Sequence, residues 1–194
     1  MAIKYIIEGA KGTGKSTLCE ALANDGGYEI EHFSGDRTAH ESFITYFNNA
    51  LSTHQVIDRF YLSYTIYGFV QDAYQHFDIQ QSSTDLVLKT WSPLSVKDFI
   101  KMIDETQHNL IILYSSDHHL LENRLMSRSI NEGKSYSKDE FEALRLSNVM
   151  FKAYASILKE AYSLEHPDQR QKVISIDVSK VQSTEELLEI IYSS

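Results

Sequence analysis

Cysteine and proline are nearly absent from this sequence. Cys19 is the only cysteine among 194 residues, so no disulfide can form within the chain, and a reducing compartment such as the cytoplasm is expected. The two prolines, Pro93 and Pro167, mark no linker, and no internal repeat or low-complexity tract divides the chain. We therefore expect one domain that spans residues 1–194.

Basic residues and long hydrophobic stretches are also scarce. Lys and Arg together number 18 against 27 Asp and Glu, which gives a formal net charge of −9. Because affinity for nucleic acid comes largely from Lys and Arg on phosphates, we expect no nucleic acid as a partner. The apolar run from Ile3 to Ile7 is too short for a signal peptide, and no run approaches the length of a membrane span, so we expect no membrane association.

The sequence does contain an alternation of strand and helix patterns. Short apolar runs predict strands at residues 2–8, 28–33, 56–58, 109–114 and 173–178. Apolar residues at helical spacing, or capping residues, predict helices at residues 14–23, 41–51, 61–77, 93–103, 117–129 and 137–164 and from residue 183 onward. This order predicts an α/β fold of three layers, with a mostly parallel five-stranded sheet and helices on both faces. Ligands of such sheets bind at the carboxyl ends of the strands.

The segment IEGAKGTGKST has the pattern G-x-x-x-x-G-K-[ST]. Its glycines let successive N–H groups point at phosphate oxygens, and the helix that follows adds its positive end. Lys15 is placed to reach the β- and γ-phosphates, and the Ser16 hydroxyl to bind Mg²⁺. The residues predicted to surround the phosphates of ATP are Gly9, Ala10, Lys11, Gly12, Thr13, Gly14, Lys15, Ser16 and Thr17. The motif names no reaction, because ATPases, GTPases and kinases share it.

A second group of polar residues follows the predicted third strand, in VIDRFYLSYTIYG. Asp58 can hold Mg²⁺ through water, and Arg59 can form a forked contact with a phosphate. A surface ion pair at a helix start is the alternative interpretation. Because both residues end a strand, we expect them beside the phosphate loop, together with Asp36 and Arg37.

The motifs IEGAKGTGKST, VIDRFYLSYTIYG and LLENRLMSR together resemble the thymidylate kinase group of P-loop nucleotide kinases, whose relatives include the deoxynucleoside kinases. The resemblance covers most of the chain in outline and implies a P-loop kinase fold with a short lid at about residues 128–138. The group's Asp-Arg-Tyr/His element is here Asp58-Arg59-Phe60. Tyr67 stands where the group often has a tyrosine that packs against the deoxyribose, and Ser63 also matches.

The resemblance implies further roles for charged residues. Arg37 falls near the arginine that holds the acceptor's monophosphate, and Asp36 near the carboxylate that deoxynucleoside kinases use as a base. Arg124 and Arg128 share a helical face. The resemblance implies that arginines here fold over the triphosphate and stabilise the transferring phosphoryl group, and that Arg128 or Lys134 closes from the lid. A polar turn and a solvated basic helix face are the alternative interpretations. The group is usually dimeric through long helices, so a homodimer is implied as well.

The sequence departs from the group's pattern in three places. Lys11 occupies the position of an acid that contacts the acceptor's 3′-hydroxyl, and a lysine cannot accept a hydrogen bond, although it could help to hold phosphate. The segment between Thr38 and Gln55 is short for the group, and residues 82–107 look inserted. The base of the acceptor is therefore left open.

The balance of charged residues favours one reaction. A monophosphate acceptor is already ionised and needs cations, whereas a nucleoside hydroxyl is helped by a carboxylate base. The cations Arg37, Arg59 and Lys11 outnumber the single carboxylate of Asp36. We predict ATP-dependent phosphorylation of a deoxynucleoside monophosphate, similar to dTMP, to the diphosphate. The alternatives are a deoxynucleoside kinase with Asp36 as base, a kinase acting on DNA ends or modified bases, and a nucleotide-binding regulatory protein without turnover.

Overall fold

Parallel strands form the central sheet of the protein. The computed structural model describes residues 4–32, 55–76, 95–133 and 135–194. The strands are β1 (Lys4–Gly9), β2 (Ile30–His32), β3 (Val56–Asp58), β4 (His108–Tyr114) and β5 (Val173–Asp177). They lie in the order β2-β3-β1-β4-β5, and each pairing between them is parallel. The predicted α/β class with a parallel five-stranded sheet is thus confirmed.

The described helices form two groups around this sheet. They are α1 (Lys15–Gly26), α2 (Tyr61–His76), α3 (Val96–Thr106), α4 (His118–Glu132), α5 (Lys138–Glu165) and α6 (Thr184–Ser193), with a short 3-10 helix at Val178–Lys180. Helices α1 and α6 pack on each other, and α5 packs on α2 and α3. No described helix combines the length and the apolar character that a membrane span requires. The helix predicted at residues 41–51 lies outside the described residues.

The two central strands are buried on both faces. Ile6 and Ile7 of β1 and all of Leu110, Ile111, Ile112 and Leu113 of β4 have no exposed surface. A parallel sheet covered by helices requires apolar residues on both sides of its strands, so its sequence is a continuous apolar run and does not alternate. This is the reason that NLIILY identified β4 from the sequence.

Capping side chains determine where several helices begin. Ser137 and Glu140 form the predicted capping box at the start of α5, in which each side chain accepts a hydrogen bond from the other residue's backbone N–H. Ser183 likewise accepts a hydrogen bond from the Glu186 N–H and caps α6, as predicted. Glycines in the left-handed conformation end α1 at Gly27 and α4 at Gly133, which explains why both helices run past their predicted ends.

Helix α3 corrects the expectation that this helix begins at Pro93. It begins at Val96 and not at Pro93, because the Ser95 side chain accepts a 3.1 Å hydrogen bond from the Asp98 N–H. Its residues Phe99, Ile100 and Ile103 are at most 2% exposed. One face of α3 therefore packs into the core, and the insertion predicted at residues 82–107 stays a prediction.

Candidate functional site: a phosphate loop beside the end of a neighbouring strand

The phosphate loop, residues 9–17, leaves β1 at the carboxyl edge of the sheet. Gly9 ends β1 with a φ of +148°, and a Cβ atom there would lie 2.3 Å from the carbonyl oxygen of Leu113 on β4. Both the backbone conformation and the lack of space require glycine. The loop can therefore begin directly against β4, which places it over the middle of the sheet.

The loop closes around its own backbone. The carbonyl oxygen of Ala10 accepts a 2.8 Å hydrogen bond from the Thr13 hydroxyl and another of 2.8 Å from Lys15 Nζ. Thr13 and Lys15 are 1% and 5% exposed. The Lys15 ammonium is thus held inside the loop, at the place where a phosphate would meet it.

The start of α1 lies open toward the same space. Gly14 precedes the helix in a left-handed conformation with a φ of 87°, and it carries no side chain to cap the first N–H groups. Uncapped N–H groups at the positive end of a helix are a binding site for an anion. Ser16 and Thr17, which follow in the first turn, are exposed.

Asp58 is the acid that the sheet brings to this loop. It pairs in register with Ile7, so the end of β3 lies beside the end of β1. Asp58 is 4% exposed, and its Oδ2 accepts a 3.0 Å hydrogen bond from the Ser16 hydroxyl. The same oxygen lies 3.0 Å from Nδ1 of His32 at the end of β2. Its Oδ1 is buried and has no hydrogen-bond partner among the described residues.

Ser16 and Asp58 suit a magnesium ion. A carboxylate and a hydroxyl are the hard oxygen donors that Mg²⁺ prefers, and it usually takes few of them from the protein. An orphaned carboxylate oxygen costs free energy unless a cation or water meets it. The chemistry of these two side chains therefore fits the predicted ion.

Arg59 adds a second cation close to Lys15. Burial, followed by the nearby Arg59 guanidinium, lowers the pKa of Lys15 to about 8, although Asp58 and Glu8 act in the opposite direction. Arg59 is half-buried and has a left-handed φ of 70°, which is unusual for a residue with a side chain. Two cations held near each other in a partly buried loop are stabilised when an anion binds between them.

The predicted substrate residues on α2 have different surroundings. The Tyr67 hydroxyl donates a 3.2 Å hydrogen bond to the Gly9 carbonyl, and its ring packs edge-on against Phe151 with 5.9 Å between centroids. Tyr67 therefore contacts the base of the phosphate loop. Ser63 is 2% exposed, and its hydroxyl donates to Glu8. The contact of Ser63 with the acceptor stays a prediction. The hydrogen bond to Glu8 does not favour it, because it occupies the Ser63 hydroxyl.

The two arginines of α4 differ in what they contact. Arg124 Nη1 donates a 3.2 Å hydrogen bond to the Gly12 carbonyl, so this side chain reaches the phosphate loop. Arg128 is paired with Glu132 on its own helix, and its catalytic role stays a prediction. Asp36, Arg37 and Lys134 lie outside the described residues.

Lys11 contacts the connection between α4 and α5, where the lid is predicted. Its Nζ lies 4.7 Å from the centroid of the Tyr136 ring, a distance at which a cation is attracted to an aromatic face. Lys11 is also one of the groups that lower the pKa of Glu140, after the hydrogen bonds from Ser137. The extra cation of the loop therefore faces the segment where the lid is predicted.

A cavity of about 290 Å³ lies between the phosphate loop, Arg124 and the segment that follows β5. The loop and Arg124 line one side of it, and both apolar and polar residues of the segment after β5 line the opposite side. The residues that line it are Gly12, Thr13, Gly14, Thr17, Leu18, Arg124, Val178, Val181, Gln182, Ser183, Thr184 and Leu187. A cleft of mixed polar and apolar lining, next to a phosphate loop, has room and hydrogen-bonding groups for the base and sugar of a nucleotide.

Sequence reasoning missed three parts of this site. Glu8 gave a detectable signal, because a single acid in the apolar run YIIEG indicates a buried carboxylate. His32 gave none, since its approach to Asp58 depends on the pairing of β2 with β3. The wall formed by residues 178–187 depends in the same way on where β5 lies in the sheet.

Comparisons with known proteins agree with this fold. No protein-family model matches the sequence, and no curated protein matches it either. Among solved structures, the chain is similar to the YorR protein of Bacillus subtilis, solved with phosphorylated GDP: TM-score 0.61, 18% identity, over 97% of this chain and 93% of that chain. It is also similar to deoxyadenosine kinase from M. mycoides, over 98% of both chains, with a TM-score of 0.58 and 15% identity for the dATP complex. For the dCTP complex of that kinase, the TM-score is 0.53 and the identity 16%. The chain thus has the fold of the P-loop nucleotide kinases.

Proposed function

We propose that this protein is a nucleotide kinase that transfers a phosphoryl group from Mg²⁺-bound ATP to a deoxynucleoside monophosphate, similar to dTMP, and releases ADP and the diphosphate. The observation that carries the proposal is the convergence of Lys15, Arg59 and the Ser16–Asp58 pair at one end of the sheet. Phosphoryl transfer needs little besides positioning and neutralisation of charge, and these groups supply both.

The donor is supported by the phosphate loop and the cavity beside it. The loop amides, the Lys15 ammonium and the positive end of α1 suit the triphosphate. The cavity continues from Gly12 and Thr17 to Val181 and Gln182, so a base and a ribose would lie between the phosphate loop and the segment that follows β5. Arg124, which contacts Gly12 and lines the cavity, would lie between the triphosphate and the base.

Ser16 and Asp58 would hold the magnesium ion. When bound, the ion neutralises charge on the phosphate oxygens that change during transfer. The protein's own part is to keep the Ser16 hydroxyl and the Asp58 carboxylate together, which their 3.0 Å hydrogen bond does.

The proposal that the acceptor carries a phosphate is supported by the cations near the end of β3. Arg59 lies close enough to Lys15 to lower its pKa, and close enough to Tyr67 to oppose the rise in that residue's pKa caused by burial. A guanidinium in this region can form a forked contact with the phosphate of an acceptor. Arg37, outside the described residues, is the second arginine predicted for this phosphate.

The experiment is a coupled ADP-release assay with Mg²⁺-ATP and a panel of deoxynucleoside monophosphates and free deoxynucleosides. We expect release only with one or two monophosphates. Arg59→Ala should lower kcat by about 10²–10³-fold, the effect of removing one preorganised charge-stabilising group. Arg170→Ala is the matched control, because Arg170 donates to the Tyr192 carbonyl at the far end of α6 and should leave kcat unchanged. Release of ADP that does not depend on any monophosphate would contradict the proposal.

A deoxynucleoside kinase is the second candidate function. It is favoured by the likeness to deoxyadenosine kinase over 98% of both chains. In that case Asp36 would take the proton of the 5′-hydroxyl. Activity on nucleosides alone, abolished in Asp36→Asn and retained in Arg37→Ala, would establish this reaction in place of the first. Binding of ATP without release of ADP across the whole panel would instead indicate a regulatory protein.

A further inference from the structure

Glu8 carries a carboxylate that is fully buried at the end of β1, directly before the phosphate loop. Its Oε1 accepts a 2.8 Å hydrogen bond from the Leu62 N–H, and its Oε2 accepts one of 3.1 Å from the Ser63 N–H. The Ser63 hydroxyl donates a further hydrogen bond to Oε2. These donors all belong to the first turn of α2, so Glu8 caps that helix from another strand.

The residue just before α2 cannot cap the helix with its side chain. Phe60 precedes the first helical residue, and the first turn contains no acidic side chain. The first N–H groups of a helix need acceptors, and a carboxylate suits them because the helix end is positive. Since the acceptor is Glu8, 54 residues before Leu62, the start of α2 is fixed relative to β1.

Arg59 lies between the end of β3 and this fixed helix start. Its left-handed φ of 70° can persist only where the surrounding structure holds the backbone on both sides. On one side, the Ile7 carbonyl accepts a 2.9 Å hydrogen bond from the Arg59 N–H. On the other side, Glu8 holds the first turn of α2. Consecutive residues of β1 therefore set the direction in which the Arg59 side chain leaves the backbone.

A buried acid is a costly way to hold a helix. Burial raises the pKa of Glu8 to about 7, against the lowering effect of its hydrogen bonds. An apolar residue, such as the preceding Ile6 and Ile7, would suit a strand that is covered on both faces. A carboxylate at this position indicates a geometrical requirement that apolar packing does not meet.

We propose that Glu8 is a positioning residue that, by capping α2, fixes the Arg59 guanidinium beside the phosphate loop where it meets a phosphate of the reactants. The inference rests on the proposed function, in which Arg59 holds phosphate during transfer. Glu8 does not touch the reactants, because its carboxylate is buried and hydrogen-bonded to α2. Its effect on the reaction passes through Arg59.

The kinetic test compares Glu8→Gln with Arg59→Ala and with the double variant. A Gln amide keeps one oxygen acceptor but turns its NH₂ group toward a donor, so the helix start shifts. We expect kcat to fall by about 100-fold, the effect of a small misplacement of a catalytic group. ATP affinity should stay within about twofold, and Glu8→Gln should have almost no further effect in the Arg59→Ala background. A purely structural role predicts independent, additive effects, and that result would overturn the proposal.

Two further variants keep the test decisive. Ser63→Ala removes only the hydroxyl donor, and both backbone N–H groups still donate to Glu8. This variant replaces Glu8→Gln in the kinetic test if Glu8→Gln does not fold. We expect it to lose about tenfold in kcat. Ser95→Ala removes the cap of α3, away from the site, and should leave kcat unchanged while lowering stability. An equal loss of kcat in Ser95→Ala would mean that loss of a cap alone explains the effect and would overturn the proposal.

Amide hydrogen exchange separates a failure of this inference from a failure of the proposed function. In the free protein, the amides of Arg59, Leu62 and Ser63 should exchange at least about tenfold faster in Glu8→Gln or Ser63→Ala than in the wild type, and at unchanged rates in Ser95→Ala. If the wild type phosphorylates no acceptor, the proposed function fails, and faster exchange at Arg59 still supports the positioning role. Unchanged exchange at Arg59 overturns it in either case.

Discussion

The Ser16 hydroxyl donates a 3.0 Å hydrogen bond to Asp58 Oδ2, although 42 residues separate the two. Parallel pairing of β1 with β3 brings them together, because Ile7 lies in register with Asp58 and the phosphate loop follows two residues later. Each residue alone is an ordinary polar side chain near a helix start. Together they form the oxygen pair on which the proposed magnesium site depends.

We expect Asp58→Asn to weaken the binding of the Mg²⁺ ion that supports nucleotide binding. The amide is neutral, and the buried position of Oδ1 then offers no charge to a divalent ion. The Mg²⁺ concentration needed for half-maximal ATP binding should rise by about tenfold or more, as expected when a charged partner is lost. Calorimetric titration of ATP at a series of Mg²⁺ concentrations measures it. Asp168→Asn, at an exposed position, is the control, and an equal rise in both variants would rule out a magnesium role for Asp58.

Lys11 and Tyr136 should stabilise the free protein as a pair. The contact at 4.7 Å joins the phosphate loop to the predicted lid, and a partly exposed cation–π contact contributes about 0.5–1 kcal/mol. A double-mutant cycle of Lys11→Met and Tyr136→Leu, measured by urea unfolding without nucleotide, should give a coupling of that size. Tyr136→Phe keeps the ring and should retain the coupling to Lys11. A coupling of zero would mean that Tyr136 does not hold the Lys11 ammonium, which would then bind only phosphate.

Asp177 should contribute to stability in a way that depends on pH. Burial opposes its ionisation, but hydrogen bonds from Ser116 and Ser179 outweigh this and lower its pKa from 3.8 to about 2. A carboxyl whose pKa is lower in the folded state stabilises that state above its unfolded pKa, and the contribution is lost as pH falls from about 4 to about 2. The hydrogen bonds from Ser116 join the segment after β4 to the end of β5, and those from Ser179 hold the turn that follows β5.

For Asp177→Asn we therefore expect a loss of about 1 kcal/mol in the free energy of unfolding at pH 7, a value already reduced for the partial exposure of this group. The difference from the wild type should shrink toward zero as the pH approaches about 2. Urea unfolding at a series of pH values from neutral to acid checks both statements. If the difference in the free energy of unfolding stays constant with pH, the substitution changes stability through its shape and not through the lost charge.

Gly9 and Gly27 allow the steric requirement of the phosphate loop to be separated from backbone strain. Both have φ in the region that disfavours side chains, at +148° and +68°, but only Gly9 has a neighbour that a Cβ atom would meet. We expect Gly27→Ala to cost about 1 kcal/mol of stability, the cost of the left-handed conformation. Gly9→Ala should cost at least about 3 kcal/mol, because the Leu113 carbonyl must also move. Equal losses of stability in the two variants, measured by thermal and urea unfolding, would show that β4 moves away from the added Cβ atom at little cost.

Much of the fold could be predicted because its signals are local. The run NLIILY, the Ser137–Glu140 capping box and the strand that ends at Asp58 are each complete within a few residues. The start of α3 could not be predicted in this way, because Ser92 and Ser95 are both potential caps in the sequence. The structure uses Ser95, which directs Phe99, Ile100 and Ile103 into the core.

The candidate site divides in the same manner. The spacing from Gly9 to Ser16 and the pair Asp58-Arg59 are chemical patterns within short segments, so the sequence by itself determined the phosphate loop and its Mg²⁺ partners as predictions. Only the tertiary structure decided that Glu8 caps α2, that Lys11 faces Tyr136 and that residues from the segment 178–187 line the cavity beside the phosphate loop. The physical reason is the order of the strands. With β1 between β3 and β4, segments far apart in the chain meet at one edge of the sheet, and no local preference of the residues specifies that order.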